Sequence, residues 1–206
     1  MRTNAVPGFT LTGGVLAGGL GSRLGGVDKG WLEIGGRALI ERVLERLQPQ
    51  VDGGIVINAN RRAADYARCG WPVVADAMAD FPGPLAGIDA LLAAARTEWV
   101  LCVPVDAARL PADLAQRLCA AVRQNGSRAA FVSTAEGPIP VCCLLSRTVH
   151  DDLLAQLAAG ERRVQQWLAG IGAVAVPYDD WPREYWSVNT PEELQALAAR
   201  LAGETR

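Results

Sequence analysis

Apolar residues along the chain fall in two alternating patterns. Phe9 to Ala17 reads as a short apolar strand, weakened by Gly13 and Gly14, that stops where Gly18-Gly19 begin. Ala38 to Leu47 sets apolar residues at helical spacing with charges between them, and Pro49 closes it. Next come a strand through Ile55-Val56-Ile57, a polar helix from about Arg61 to Arg68, and a strand at Val73-Val74 that ends at Asp76. Phe81-Pro82-Gly83-Pro84 is a loop by composition, and Leu85 to Arg96 is an Ala/Leu-rich helix. Trp99 to Val105 is almost continuously apolar, as expected of a central strand covered on both faces, and it runs into Asp106.

The later pattern changes. Ala130 to Thr134 and Val141 to Leu145 flank a short turn at Glu136-Gly137-Pro138, which predicts an antiparallel element. Helices from about Val149 to Ala159 and Arg163 to Leu168, a strand at Ala173 to Val176 and a final helix from Pro191 to Leu201 follow, with Thr190 as N-cap. Alternating strands and helices predict an α/β fold: right-handed βαβ units in a mainly parallel sheet with helices on both faces and an added antiparallel strand.

Composition narrows the function. At 206 residues and 21.8 kDa the chain is expected to make one domain, and with half its residues hydrophobic it is not a disordered protein. A net charge of −2 and a pI near 5.5 argue against nucleic-acid binding by broad phosphate neutralisation. The five cysteines are odd in number and hold no C-x-x-C pair, so reduced thiols are expected rather than disulfides or a zinc site. Cys142 and Cys143, adjacent on a strand, should face opposite sides of the sheet. No apolar run approaches membrane-spanning length and Met1 to Phe9 lacks a signal pattern, so a soluble cytoplasmic protein is expected.

Candidate chemistry centres on Val15 to Gly36, where glycines crowd around Arg23, Asp28 and Lys29. A strand running into such a turn brings main-chain N–H groups to the carboxyl edge of a sheet, where open α/β proteins bind ligands, and the two cations point to phosphate. A Walker A loop fails because Gly30-Trp31 follows Lys29. A dinucleotide fingerprint fails because Ser22-Arg23-Leu24 stands where its third glycine belongs, and the next strand ends in Asn58 rather than an acid. Gly35-Gly36 reads as a plain turn.

The block Leu16-Ala17-Gly18-Gly19, Arg23-Leu24-Gly25-Gly26 and Asp28-Lys29 resembles the signature of the MobA-type molybdenum cofactor guanylyltransferases. The resemblance continues through Asn58 to Asn60, Asp80 to Gly87, the Asp106 region, Gly160 to Val164 and Val188 to Leu194, covering nearly the whole chain in order. It implies a single three-layer Rossmann-like domain, with a nucleotide half at about 9–107 and an acceptor half at about 108–206. The implied reaction moves GMP from GTP to Mo-molybdopterin and releases pyrophosphate, with Mg2+. It also implies transient contacts with cofactor-insertion and target proteins.

Carried over residue by residue, the resemblance makes Asp106 the magnesium ligand, with a solvated strand end or helix cap as the plain alternative. Arg23 and Lys29 would neutralise phosphate charge as catalytic residues. Leu16, Ala17, Gly18, Gly19, Gly26, Lys29, Asn58, Asp76, Gly87 and Asp106 would contact GTP, whereas turn formation is the alternative for Asn58, Asn60 and Asp76. Asp28 would orient Lys29. Arg163 and Asn189 would hold the molybdopterin. The chain departs from the family pattern at Ala107-Ala108, at Ile139-Pro140 and at Ser187. His150, the one histidine, has no recognisable partner and reads as a cap or surface residue. Two rival readings are a CTP-dependent or sugar-1-phosphate relative, which Leu16 to Gly19 disfavours, and a nucleotide-binding regulator without catalysis.

Overall fold

The computed structural model describes residues 6–18, 27–77, 83–107, 109–179, 181, 187 and 190–204. Among them the strands are β1 (Leu11–Leu16), β2 (Glu33–Ile34), β3 (Arg37–Ala38), β4 (Ile55–Asn58), β5 (Val73–Val74), β6 (Trp99–Pro104), β7 (Ala129–Thr134), β8 (Gly137–Ser146) and β9 (Val174–Pro177). The helices are α1 (Leu39–Leu47), α2 (Ala63–Ala67), α3 (Pro84–Ala94), α4 (Leu114–Asn125), α5 (His150–Ala158), α6 (Val164–Gly170) and α7 (Pro191–Glu204). Seven strands form one sheet in the order β5-β4-β1-β6-β8-β7-β9, and β2 and β3 form a separate hairpin. Strands β5, β4, β1 and β6 are mutually parallel, β8 is antiparallel to both its neighbours, and β9 is parallel to β7. This is the predicted α/β class, with its added antiparallel strand inside the sheet rather than at its edge.

Strand alternation divides the core into two layers. Leu11, Val15, Ile55, Ile57, Leu101, Val103, Cys142 and Leu144 pack on one face with Leu47 of α1 and Leu118 of α4. Val56, Val100, Cys102, Cys143 and Leu145 pack on the other with Leu91 of α3, Leu153 of α5 and Trp167 of α6. Cys142 and Cys143 do face opposite sides, and among the described residues all five cysteines are free thiols.

The two glycines that weaken β1 as a sequence are what let both layers close. A Cβ at Gly13 would lie 2.9 Å from Leu47 Cδ2 of α1, and one at Gly14 would lie 2.7 Å from Leu91 Cδ1 of α3. Helices on both faces thus reach the backbone of β1.

Most predicted elements are present with ends shifted by a residue or two. Helix α4 is absent from those predicted above, although Leu114, Leu118 and Val122 are buried at helical spacing and Gly126, at φ 60°, stops it. Buried Gln50 links α1 to α4: its Nε2 donates to the Arg46 and Pro111 carbonyls, both at 2.9 Å, and its Oε1 accepts from Ala115 N. The Gly35-Gly36 turn closes the β2–β3 hairpin with both residues at positive φ, the type I′ geometry that suits strand twist. Thr190 caps α7 as expected, accepting from Glu193 N while the Glu193 carboxylate accepts from Thr190 N. Leu197 of α7 docks beside Ile34 and Leu39. Among the described residues no helix is long and apolar enough to cross a membrane.

Two outcomes follow from this packing. Gly14→Val, which would drive a side chain into Leu91, is expected to lower stability to urea by about 1–3 kcal/mol or more, and an unchanged midpoint would contradict the close approach of α3. In native protein, half-buried Cys69 should react with a thiol reagent before the other four, which are fully buried. Burial pushes the Cys119 thiol up to about 12 and that of Cys142 well above its ordinary range, and the hydrogen bond with Cys102, then burial, does the same for Cys143. Several fast thiols would contradict the core.

Candidate active site

From β1 the chain moves outward through β4 to β5 and then returns to place β6 on the other side of β1. The carboxyl ends of β1 and β6 therefore flank a topological switch point, where an open α/β sheet leaves a crevice. Val105 N donates to Leu16 O at 3.0 Å and Ala17 N donates to Asn58 O at 2.8 Å, so the loops leaving β1, β4 and β6 are tied together.

Asp106 stands in the turn after β6, and its Oδ2 accepts from Lys29 Nζ at 2.7 Å. Side-chain exposures of 19% and 10% keep this pair mostly out of water without sealing it. Ser187 Oγ donates to the same oxygen at 3.1 Å. The residue that departs from the family pattern thus touches the expected metal ligand, a contact across 81 positions that no sequence pattern signals.

Lys29 is delivered by a single turn of 3-10 helix, Lys29–Trp31, capped by Asp28. Asp28 is buried; its Oδ1 accepts from Gly30 N at 3.2 Å and from the Tyr66 hydroxyl of α2 at 2.5 Å. Burial, and then the bond to Asp28, raise the Tyr66 phenol far above its ordinary range, so it stays a proton donor. Any side chain at Gly30 would collide with that hydroxyl. Asp28 therefore holds the turn that carries Lys29, and Tyr66 is a supporting residue absent from the candidates above.

On the other side of β1, Asn58 ends β4 and Asp76 follows β5. Asn58 Nδ2 donates to Asp76 Oδ1 at 2.8 Å, and Asn60 Nδ2 donates to Asp76 Oδ2 at 2.8 Å. Leu16 and Gly18 are half-buried and Ala17 is buried. A Cβ at Gly18 would lie 3.1 Å from Asn60 Nδ2, so the first loop passes directly against these asparagines. Gly87 is buried in α3, where a Cβ would lie 2.5 Å from Asn58 Oδ1. Its hydrogen makes room for the asparagine, a packing reason for glycine there.

Arg163 is well exposed and precedes α6. Glu161 Oε1 accepts from the backbone N–H groups of Arg162 and Arg163 at 2.8 and 2.7 Å, and these bonds hold the Glu161 carboxyl below its ordinary range. The Arg162 carbonyl lies beside Gly83, so this loop borders the start of α3. Gly19, Arg23, Gly26 and Asn189 lie outside the described residues. His150 has a partner after all: its Nε2 is 2.6 Å from Asp89 Oδ1, joining α5 to α3 away from the Lys29–Asp106 pair.

Among the described residues no group of three or more His, Cys, Asp and Glu side chains could hold a metal by itself. Magnesium does not require one, since one or two carboxylates suffice when phosphate oxygens and waters complete the shell. Asp106, a mostly buried carboxylate beside Lys29 at the switch-point crevice, fits that chemistry.

Residues 13–175 match the family model of the MobA-like NTP transferase domain. A molybdenum cofactor guanylyltransferase from Burkholderia ambifaria is 45% identical over 206 residues, covering 96% of this chain and all of its own. One from Shewanella sp. (strain MR-4) is 41% identical over 187 residues, covering 91% of this chain and 94% of its own. The crystal structure of molybdopterin-guanine dinucleotide biosynthesis protein A from Archaeoglobus fulgidus superposes with a TM-score of 0.76 at 22% identity, over 94% of this chain and 99% of that one, and so shares the Rossmann-like fold. With sequence, fold and relatives in agreement along nearly its full length, the chain belongs to the molybdenum cofactor guanylyltransferase family of MobA-like nucleotidyltransferases.

Proposed function

We propose that the chain transfers GMP from GTP to the terminal phosphate of Mo-molybdopterin, with Mg2+, and releases pyrophosphate. The observation that carries this reading is the Lys29–Asp106 pair at the switch point between β1 and β6. A phosphate oxygen of the acceptor forms a bond to the α-phosphorus while the bond to the bridging oxygen of the β-phosphate breaks. Charge builds on the departing pyrophosphate, and neutralising it is the main catalytic task.

Family nucleotidyltransferases generally need a divalent cation, and Asp106 is the residue that would hold magnesium, which when bound supplies positive charge to the phosphates. Lys29 keeps Asp106 compensated and brings an ammonium point charge to the phosphate end of the crevice, with Arg23 as a second cation. The loop from Leu16 through Gly18, with Gly19 and Gly26, gives the nucleotide close backbone contact. Asn58 and Asp76 take the nucleoside side, supported by Gly87. Arg163 and Asn189 are proposed to hold molybdopterin, so the nucleotide subsite is drawn from about 9–107 and the acceptor subsite from about 108–206. Hand-over to insertion and target proteins, and a cytoplasmic location, belong to the same reading.

GTP with magnesium at ~100 times its dissociation constant is expected to stabilise the fold by about 2.7 kcal/mol, a rise of roughly 5–10 °C in Tm, and CTP, ATP and UTP to do less. A selective response to CTP would replace the guanylyl reading with a cytidylyl one. Asp106→Asn keeps the shape of the side chain and is expected to cut turnover by about 10²–10³-fold with the circular dichroism spectrum unchanged. Full magnesium-dependent pyrophosphate release by this variant would remove Asp106 from the mechanism.

A further inference from the structure

Asn60 is exposed in the loop after β4, where an asparagine ordinarily bonds its own neighbouring backbone or water. Here both ends of its carboxamide are committed to one residue 16 positions away. Nδ2 donates to Asp76 Oδ2 at 2.8 Å, and Oδ1 accepts from Asp76 N at 2.9 Å. Asn58 holds the other carboxylate oxygen from the buried side at 2.8 Å. The Asp76 carboxylate is therefore clamped at both oxygens and at its own backbone.

A carboxylate offers about four acceptor positions, two per oxygen. Among the described residues the clamp takes one on each, which leaves one on each oxygen in the plane of the carboxylate. Two coplanar acceptors match a base edge that presents two adjacent donors. Guanine does so with its N1–H and 2-amino group, whereas adenine and cytosine each set a donor beside an acceptor and uracil sets one donor between two acceptors.

The placement agrees with this. Asp76 follows β5 and Asp106 follows β6, three strand spacings apart along the sheet edge, or about 14 Å. That is room for a nucleotide lying with its phosphates at β1 and β6 and its base toward β4 and β5.

We infer that Asn60 is a positioning residue for base selection: by fixing the plane of the Asp76 carboxylate it sets the preference for guanine. The inference rests on the reading above that Asp76 meets the nucleotide. Asn60 touches the base only through Asp76. Its loss leaves triphosphate binding intact and costs the part of affinity that depends on the two guanine donors.

The test is calorimetric binding of GTP, ITP and ATP with magnesium to the wild-type protein and to Asn60→Ala, Asn60→Asp and Asp76→Asn. ITP keeps N1–H and lacks the 2-amino group. Wild type is expected to prefer GTP to both analogues, and Asn60→Ala to lose about tenfold or more of the GTP-to-ATP preference, with ITP, which keeps one of the two donors, weakening less than GTP and ATP staying within about twofold. Asn60→Asp separates this role from simple loop stapling, because it keeps an acceptor for Asp76 N but replaces the donor to Oδ2 with a repelling carboxylate. It should lose selectivity as Asn60→Ala does. Equal weakening toward all three nucleotides, or an unchanged preference in either Asn60 variant, would overturn the inference while leaving the nucleotide site in place. Wild-type selectivity in Asp76→Asn would overturn it by removing Asp76 from base reading. Failure of wild type to bind any of the three would remove the proposed function as well.

Discussion

The close approach of two helices to the backbone of β1 is the constraint on which the rest of the structure depends. Gly13 and Gly14 lie on β1, an inner strand of the parallel half, and Leu47 and Leu91 fill the space that side chains there would take. Because α3 lies so close, Gly87 in its first turns meets Asn58 at the end of β4, and Leu16 is drawn into the same contact. Packing of the core and placement of the crevice are thus one event. The carboxyl ends of β1, β4 and β6 are brought level by that packing and then tied by backbone bonds between their loops.

The crevice is assembled from compensated carboxylates rather than from surplus charge. Asp28 is held by Tyr66 and Gly30, Asp76 by Asn58 and Asn60, and Asp106 by Lys29 and Ser187. Taking a carboxylate out of water costs several kcal/mol before its partners repay it, so such pairs add little net stability. Their concentration at a switch point holds acceptors and a cation in fixed directions, an arrangement that would lower the reorganisation needed in the proposed nucleotidyl transfer. Asp89, paired with His150 between α3 and α5, shows the same compensation used as a link between helices.

Much of the fold was legible because its signals are local. Apolar runs at Ile55 to Ile57 and Trp99 to Val105, and the spacing of Leu39, Ile40, Val43 and Leu47, depend on burial of one or both faces of a regular element, which periodicity reports directly. Helix α4 carries an equally local signal in Leu114, Leu118, Val122 and the Asn125-Gly126 stop, yet the predicted elements passed over it. Strand β8 is longer than its apolar core predicts: it begins at Gly137, within the residues predicted as turn, and Pro140 lies in the stretch where its pairing with β7 shifts register. A proline has no N–H to give a ladder, so its presence in a strand is intelligible only once that irregularity is seen.

By itself the sequence determined the α/β class, the order of most elements, the reduced cysteines and the family, because periodicity, composition and ordered short motifs act over a few residues at a time. It also named Lys29, Asp76 and Asp106 as candidates. Only the tertiary structure decided which of these meet: Lys29 with Asp106 across 77 positions, Asp28 with Tyr66 across 38, and Asn60 with Asp76 across 16. It also decided that Gly87 makes room for Asn58 and that His150 serves Asp89. Those choices rest on strand order and on how near helices can come to β1, and both are set by packing between segments far apart in the chain.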